Sequence, residues 1–207
     1  VTWAGVEPLG DRDGRIALYR TEHAAGLRAP LRSSAPSEGR AADVLQFLSG
    51  HGASFFNAIH DGVGGGFPTD TVDALWALVW QGLVTNDTWQ PLRSYLAGPP
   101  ERERLPRHGT PPGRRVVPLT AEGRWSLAPS RAADATSWAA ATARQLLTRH
   151  GIVTREIVAA ESIAGGFTAV YDALKAMDDA GRVRRGYFVA GLGAAQFAQP
   201  AAVDLLR

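Results

Sequence analysis

"GGFTAVYDALKAMDDAGRVRRGYFVAGLGAAQFA" spans residues 165–198, and its change of period decides the fold. Phe167, Val170, Tyr171, Leu174 and Met177 recur at helical spacing and give one apolar face. Gly181 ends that helix. Two short strands joined by a Gly-rich turn follow, and the first carries Arg182, Arg184 and Arg185. Upstream, "ADATSWAAATARQLLTRHG" (133–151) reads as a long helix closed by Gly151 at its C′ position. "IVTREIVAAES" (152–162) places Thr154 as the cap of a short helix. Three helices and a two-stranded hairpin make a winged helix-turn-helix over 130–200.

The same grammar occurs earlier in the chain. "LSGHG" (48–52) matches "LTRHG" (147–151), "DAL" (73–75) matches "DAL" (172–174), and Gly82 matches Gly181, all at an offset of 99 residues. "GGF" recurs at 65–67 and 165–167, one residue out of step. Helices are expected near 39–50, 53–61 and 69–81, the last turning Val72, Leu75, Trp76 and Val79 inward. "GLVTND" (82–87) and "GRWSLAP" (123–129) are the wing strands of this copy. Between them lie a helical piece, "WQPLRSYL", and an Arg/Pro-rich insertion at about 97–118.

The fold expected is α+β, mainly helical, with tandem winged helix-turn-helix domains at 39–129 and 130–200. Residues 1–20 read as the wing hairpin of a preceding, truncated unit, and 21–38 as a linker. Residues 201–207 read as the start of a following module. The opening hairpin without its helices suggests a piece of a longer protein.

Composition sets limits. The chain has 207 residues, 45% of them hydrophobic, which is ordinary for a domain that buries a core. It has no cysteine, which excludes disulfides and thiolate metal sites and fits a cytoplasmic chain. No apolar run approaches the roughly 18 residues of a membrane span, so no membrane partner is expected. The net charge of +2 is unevenly spread. Residues 41–92 hold five aspartates and no Lys or Arg, whereas 93–130 carry seven arginines against three glutamates.

Several strings resemble the C-terminal region of the Lhr (large helicase-related) family of bacterial DNA-repair helicases. They are "GLVTNDT" (82–88), "GRWSLAP" (123–129), "RHGIVTRE" (149–156), "GGFTAVYDAL" (165–174) and "GRVRRGYFVAGLGAAQFAQPAAVDLLR" (181–207). The resemblance implies a parent with an ATP-dependent, single-strand-translocating core, followed by winged helices and then a β-barrel. Its winged helices resemble AlkZ/YcaQ-type DNA glycosylases, and the region is linked to oligomerisation and uracil excision. The barrel would begin near 201–207. The chain departs from the parent in having no G-x-x-x-x-G-K-[ST] motif; "GVGGGF" (62–67) lacks the Lys-Ser/Thr that holds phosphate and Mg²⁺. ATP and Mg²⁺ therefore belong to the parent's helicase core, and no cofactor is expected here. No catalytic residue carries over.

The candidate nucleic-acid-binding residues are Arg182, Arg184, Arg185, Lys175 and Tyr187. A wing often lies along a phosphate backbone, where its arginines release counterions. Tyr187 or Phe188 can stack on an unpaired base. The other readings are an inter-subunit contact and a solvated edge strand whose charge discourages strand pairing. The third helix of this copy offers Thr168, Asp172, Lys175 and Asp179 outward, poor equipment for reading base edges. Copy one starts its third helix with "PTDTVD", placing Asp70 and Asp73 where phosphates would lie, so it reads as a scaffold. Phe55, Phe56, Trp76 and Trp80 are expected in its core, with Trp80 and Trp89 the alternatives for a partner face. The five histidines show no ligand spacing, so no metal is expected. Asp178 and Asp179, at a helix C-terminus, suit relief by Arg182 better than catalysis. The expected partners are DNA, single-stranded or duplex, other modules of the parent chain, and further copies in a homo-oligomer. A scaffold without DNA contact, or part of a glycosylase completed by a barrel, are the alternatives.

Overall fold

A computed structural model of the chain describes residues 1–31, 35–98 and 117–205. They fall into two units, Val1–Thr21 with Ser33–Pro129 and Glu22–Arg32 with Ser130–Arg207. The first unit opens on an antiparallel hairpin, β1 (Thr2–Gly10) and β2 (Asp13–Tyr19). A short helix, α1 (Ala24–Leu27), belongs to the second unit. The first unit continues with α2 (Gly39–His51), β3 (Ser54–Phe55), α3 (Phe56–Gly62) and α4 (Pro68–Trp80). Strand β4 (Val84–Asn86), helix α5 (Gln90–Ala97) and strand β5 (Arg124–Leu127) complete it. The second unit holds α6 (Ala135–His150), β6 (Ile152–Val153), α7 (Arg155–Ala160), α8 (Gly166–Asp179), β7 (Arg184–Gly186), β8 (Gln196–Ala198) and α9 (Pro200–Leu205).

Helices dominate both units, and each carries a three-stranded antiparallel sheet, to which the first unit adds the β1–β2 hairpin. The sheet orders are β3-β5-β4 and β6-β8-β7, so the last strand sits centrally in both. The landmarks offset by 99 residues occupy equivalent geometry. Gly52 and Gly151 close α2 and α6 with φ of 71° and 72°, each donating to the carbonyl four residues back. Gly82 and Gly181 follow α4 and α8 with φ of 63° and 69°. Such left-handed angles are inexpensive only for glycine.

Core formation follows the helical periodicity. In the first unit Val44, Leu48, Ile59, Leu75, Leu78 and Val79 are fully buried around Trp125. Two indoles of this core find carbonyl partners: Trp76 Nε1 donates to Thr120 and Trp125 Nε1 to Ala121. In the second unit Val170, Leu174 and Met177 of α8 pack with Leu146, Leu147, Val158 and Phe197. Phe167 and Tyr171 are half-buried at the edge of that cluster, so the whole apolar stripe of α8 faces inward. The side chain of Thr154 caps α7 by accepting from the Ile157 amide.

Several boundaries differ from the sequence expectation. Residues 22–31 are not a bare linker: Trp138 Nε1 donates to the Leu27 carbonyl and Arg131 to that of Ala29, tying α1 to α6. The opening hairpin packs on the first unit, where Thr85 Oγ1 donates to the Trp3 carbonyl. Gly5 lies so close to α4 that a Cβ there would overlap the Val79 carbonyl. Residues 200–205 form a helix, where the start of a barrel was expected. Phe55 is exposed, because β3 turns Phe55 outward while Phe56 begins α3 and is buried. Most of the Arg/Pro-rich insertion lies outside the described residues.

Candidate nucleic-acid interface

The wing of the second unit is a narrow ribbon whose loop is organised by one buried amide. Gln196 is fully buried in β8. Its Oε1 accepts the Phe188 and Val189 amides at 2.7 and 2.8 Å, and its Nε2 donates to the Val189 and Leu192 carbonyls at 3.0 and 3.3 Å. A side chain thus does between 187 and 195 what strand pairing does over 184–186. Tyr187, the first residue of this loop, is 83% exposed and has its ring in solvent. The signal for Gln196 was present in the sequence as one amide inside the apolar run "AAQFA", and sequence reasoning missed it.

Arg182, Arg184, Arg185, Lys175 and Tyr187 are all exposed. The structure does not gather them into one patch. Arg185 is opposite Phe197 in the β7–β8 register, and Arg184 is opposite Ala198. Alternation along the strand therefore sends the two arginines to opposite faces of the ribbon. Arg184 points toward α9, its Nη1 at 4.0 Å from Asp204 Oδ1, a loose and solvated pair. The Arg185 amide donates to Asp178 Oδ1 at 3.2 Å, so this backbone N–H tethers the carboxylate at the α8 terminus. Arg182 instead lines a groove between α6 and α8, together with Arg144 and Asp172. Lys175 sits on the exposed side of α8 and makes no ion pair among the described residues.

Two other arginines, Arg149 and Arg124, are tied to acids. Arg149 grips both oxygens of Glu161 at 2.7 and 2.6 Å, and His150 Nε2 meets the same carboxylate at 2.9 Å. Burial alone would raise the Glu161 pKa, but the hydrogen bonds from Arg149 and His150 hold it below the usual glutamate value. Asp87 is likewise lowered: burial opposes this, and the Arg124 amide and guanidinium outweigh it. Both clusters hold elements together and have no free charge to offer a ligand.

On the first unit, Asp70 and Asp73 are exposed at the start of α4. Arg40 is committed to the Val63 and Gly65 carbonyls, bracing the glycine-rich loop before α4. Trp80 is buried, whereas Trp89 is 40% exposed and stacks on Trp3 at 5.5 Å. Asn86 of the "NDT" triplet is buried, donating to the Glu122 carbonyl and accepting from Thr88. His51 stacks on Phe47 and bonds its carbonyl, a helix-end role. No His/Asp/Glu group among the described residues has metal-binding geometry. No described helix is long and apolar enough to cross a membrane.

Comparison with known proteins gives these features a setting. A family profile described as "Large helicase-related protein, winged-helix domain" matches residues 132–207, the part that holds the wing. A Mycolicibacterium smegmatis protein named "Lhr helicase/ probable uracil glycosylase" is 38% identical over the whole chain. An Escherichia coli protein named "Lhr helicase/uracil glycosylase" is 34% identical, again over the whole chain. The chain spans 14% and 15% of the lengths of these relatives. The order α6-β6-α7-α8-β7-β8 and the sheet order β6-β8-β7 are those of a winged helix, as the profile's description says. Residues 132–207 thus match the winged-helix domain of the large helicase-related family, and the chain as a whole is similar to the two Lhr proteins over part of their length.

Proposed function

We propose that this chain is a non-catalytic DNA-binding and assembly segment of an ATP-dependent DNA-repair helicase. In this reading it is a tandem of two winged helices, of which the second holds DNA without sequence specificity. ATP and Mg²⁺ act in the helicase core of the parent. The observation that carries the reading is the exposed wing, with Arg182, Arg184, Arg185 and Tyr187 within six consecutive residues of a winged-helix domain. Arginines on both faces of a ribbon suit a backbone that wraps it, and Lys175 extends the cationic surface along α8. Reading of base edges is disfavoured, since α8 presents Asp172 and Asp179 beside that lysine. The first unit, with acids where a reader would carry bases, serves as a scaffold toward other modules or further copies in a cytoplasmic homo-oligomer.

A second reading rests on the relatives' names, which carry "uracil glycosylase". The wing would then line part of a base-excision site completed elsewhere in the parent. Fluorescence anisotropy on single-stranded and duplex oligonucleotides across a salt series tests the first reading. Binding that weakens with salt, and collapses in the R182E/R184E/R185E variant, supports it. Absence of binding at low salt refutes it and leaves the scaffold role.

A further inference from the structure

The groove between α6 and α8 has a volume of about 440 Å³, within the range of sites that take a small molecule. Its walls are alanines from both helices, with the Met177 side chain beside them, and it lies wholly within the second unit. The small side chains explain the space: α6 presents Ala139 and Ala140, and α8 presents Ala173 and Ala176, where larger residues would close the gap. Two arginines, Arg144 from α6 and Arg182 just past α8, stand on its border. Both are exposed, and neither makes an ion pair among the described residues. Arg149, five residues further along α6 than Arg144, is by contrast engaged by Glu161.

We propose that this groove seats one unpaired nucleotide of a single strand, with flanking phosphates on Arg144 and Arg182 and the base against the alanine and Met177 walls. This rests on the DNA-binding reading and extends it by naming strand state and path. Charge complementarity favours an anionic occupant, because the two unpaired arginines outnumber the one carboxylate, Asp172. Asp172 can accept from an exocyclic amino group of the base. Continuity identifies the anion as nucleic acid: Arg182 belongs to the groove and to the start of the wing at once. A base enters an apolar slot only when it is unpaired, so a duplex cannot use the site. The strand would run from the wing into the groove, meeting α8 on the side that carries Asp172.

The test compares binding of fluorescent oligodeoxycytidylate and of a blunt duplex across a salt series, using the whole 207-residue chain. Arg144→Glu should weaken single-strand binding by about tenfold and lower the salt slope by about one, leaving duplex binding unchanged. Ala176→Leu fills the groove without changing charge and with little change in helix propensity. It should weaken single-strand binding about fivefold at unchanged salt slope, as loss of a base contact does. Arg184→Glu with Arg185→Glu serves as the wing control. If the wing variant loses binding while Arg144→Glu and Ala176→Leu bind as the native chain does, the groove inference is overturned and the wing reading stands. If the native chain binds neither probe, both fall. Equal losses on single strand and duplex would also overturn the groove assignment, making Arg144 a general phosphate contact.

Discussion

Single residues fix the two most specific features of this chain. Gly5 is a glycine because the hairpin approaches α4 backbone to backbone, with the Val79 carbonyl in the space a Cβ would occupy. Its replacement by alanine should cost about 2 kcal/mol, the scale of overpacking at a site that cannot yield. Urea unfolding followed by tryptophan fluorescence would read this, since Trp3 lies on the displaced strand; an unchanged midpoint would contradict the packing. Gln196 is the second such residue. Gln196→Leu keeps volume but leaves the Phe188 and Val189 amides without their acceptor, at about 1–3 kcal/mol each if water cannot replace it. Both amides are close to solvent, so the lower end is expected. The sharper readout is hydrogen exchange: protection at 188 and 189 should vanish while that of α8 persists.

At the scale of elements, α6 and α7 are joined by a clasp at their C-terminal ends. Arg149 and His150 lie in the last turn of α6, where positive charge complements the helix dipole, and both meet Glu161 at the end of α7. The Glu161 pKa is lowered in the folded chain. Its contribution is therefore complete above the ordinary glutamate range and is lost as pH falls through the lowered folded value. Glu161→Gln should cost about 1 kcal/mol at neutral pH, the upper end for a partly exposed pair, and at a pH below the lowered folded value the difference from native should shrink toward zero. Denaturant midpoints at the two pH values give the answer. At the opposite end of α7, Thr154→Ala removes the cap and should cost about 1 kcal/mol at neutral pH.

Across the whole molecule, charge is unevenly distributed. The stretch from 41 to 92 carries five aspartates and no cation, whereas the second unit carries its arginines on an exposed ribbon and beside a groove. Binding of DNA should therefore protect the second unit alone. Hydrogen exchange with and without a single-stranded oligonucleotide is expected to slow the amides of 182–189 and leave those of 68–76 unchanged. Protection confined to α4 would reverse the assignment of the two copies.

Residues 165–181 were legible from the sequence because a helix with one buried face has a period that survives any tertiary context. Phe167, Val170, Tyr171, Leu174 and Met177 all turned inward as the spacing requires. The capping roles of Gly151 and Thr154 were legible for the same reason: they depend on neighbours within four residues. The arginine-bearing wing was legible as a ribbon, but its division into two faces was not, since that depends on the register with β8. Gln196 escaped notice because its partners are set by the path of a loop, which has no period. Residues 22–31 looked like linker because α1 is too short to show one, and only contact with α6 orders it. The groove was beyond reach for a related reason: alanines on α6 and α8 advertise good helices in the sequence, and become a cavity only when two such faces meet. Sequence determined what is local and periodic; tertiary structure decided which surfaces close against one another and which stay open to a ligand.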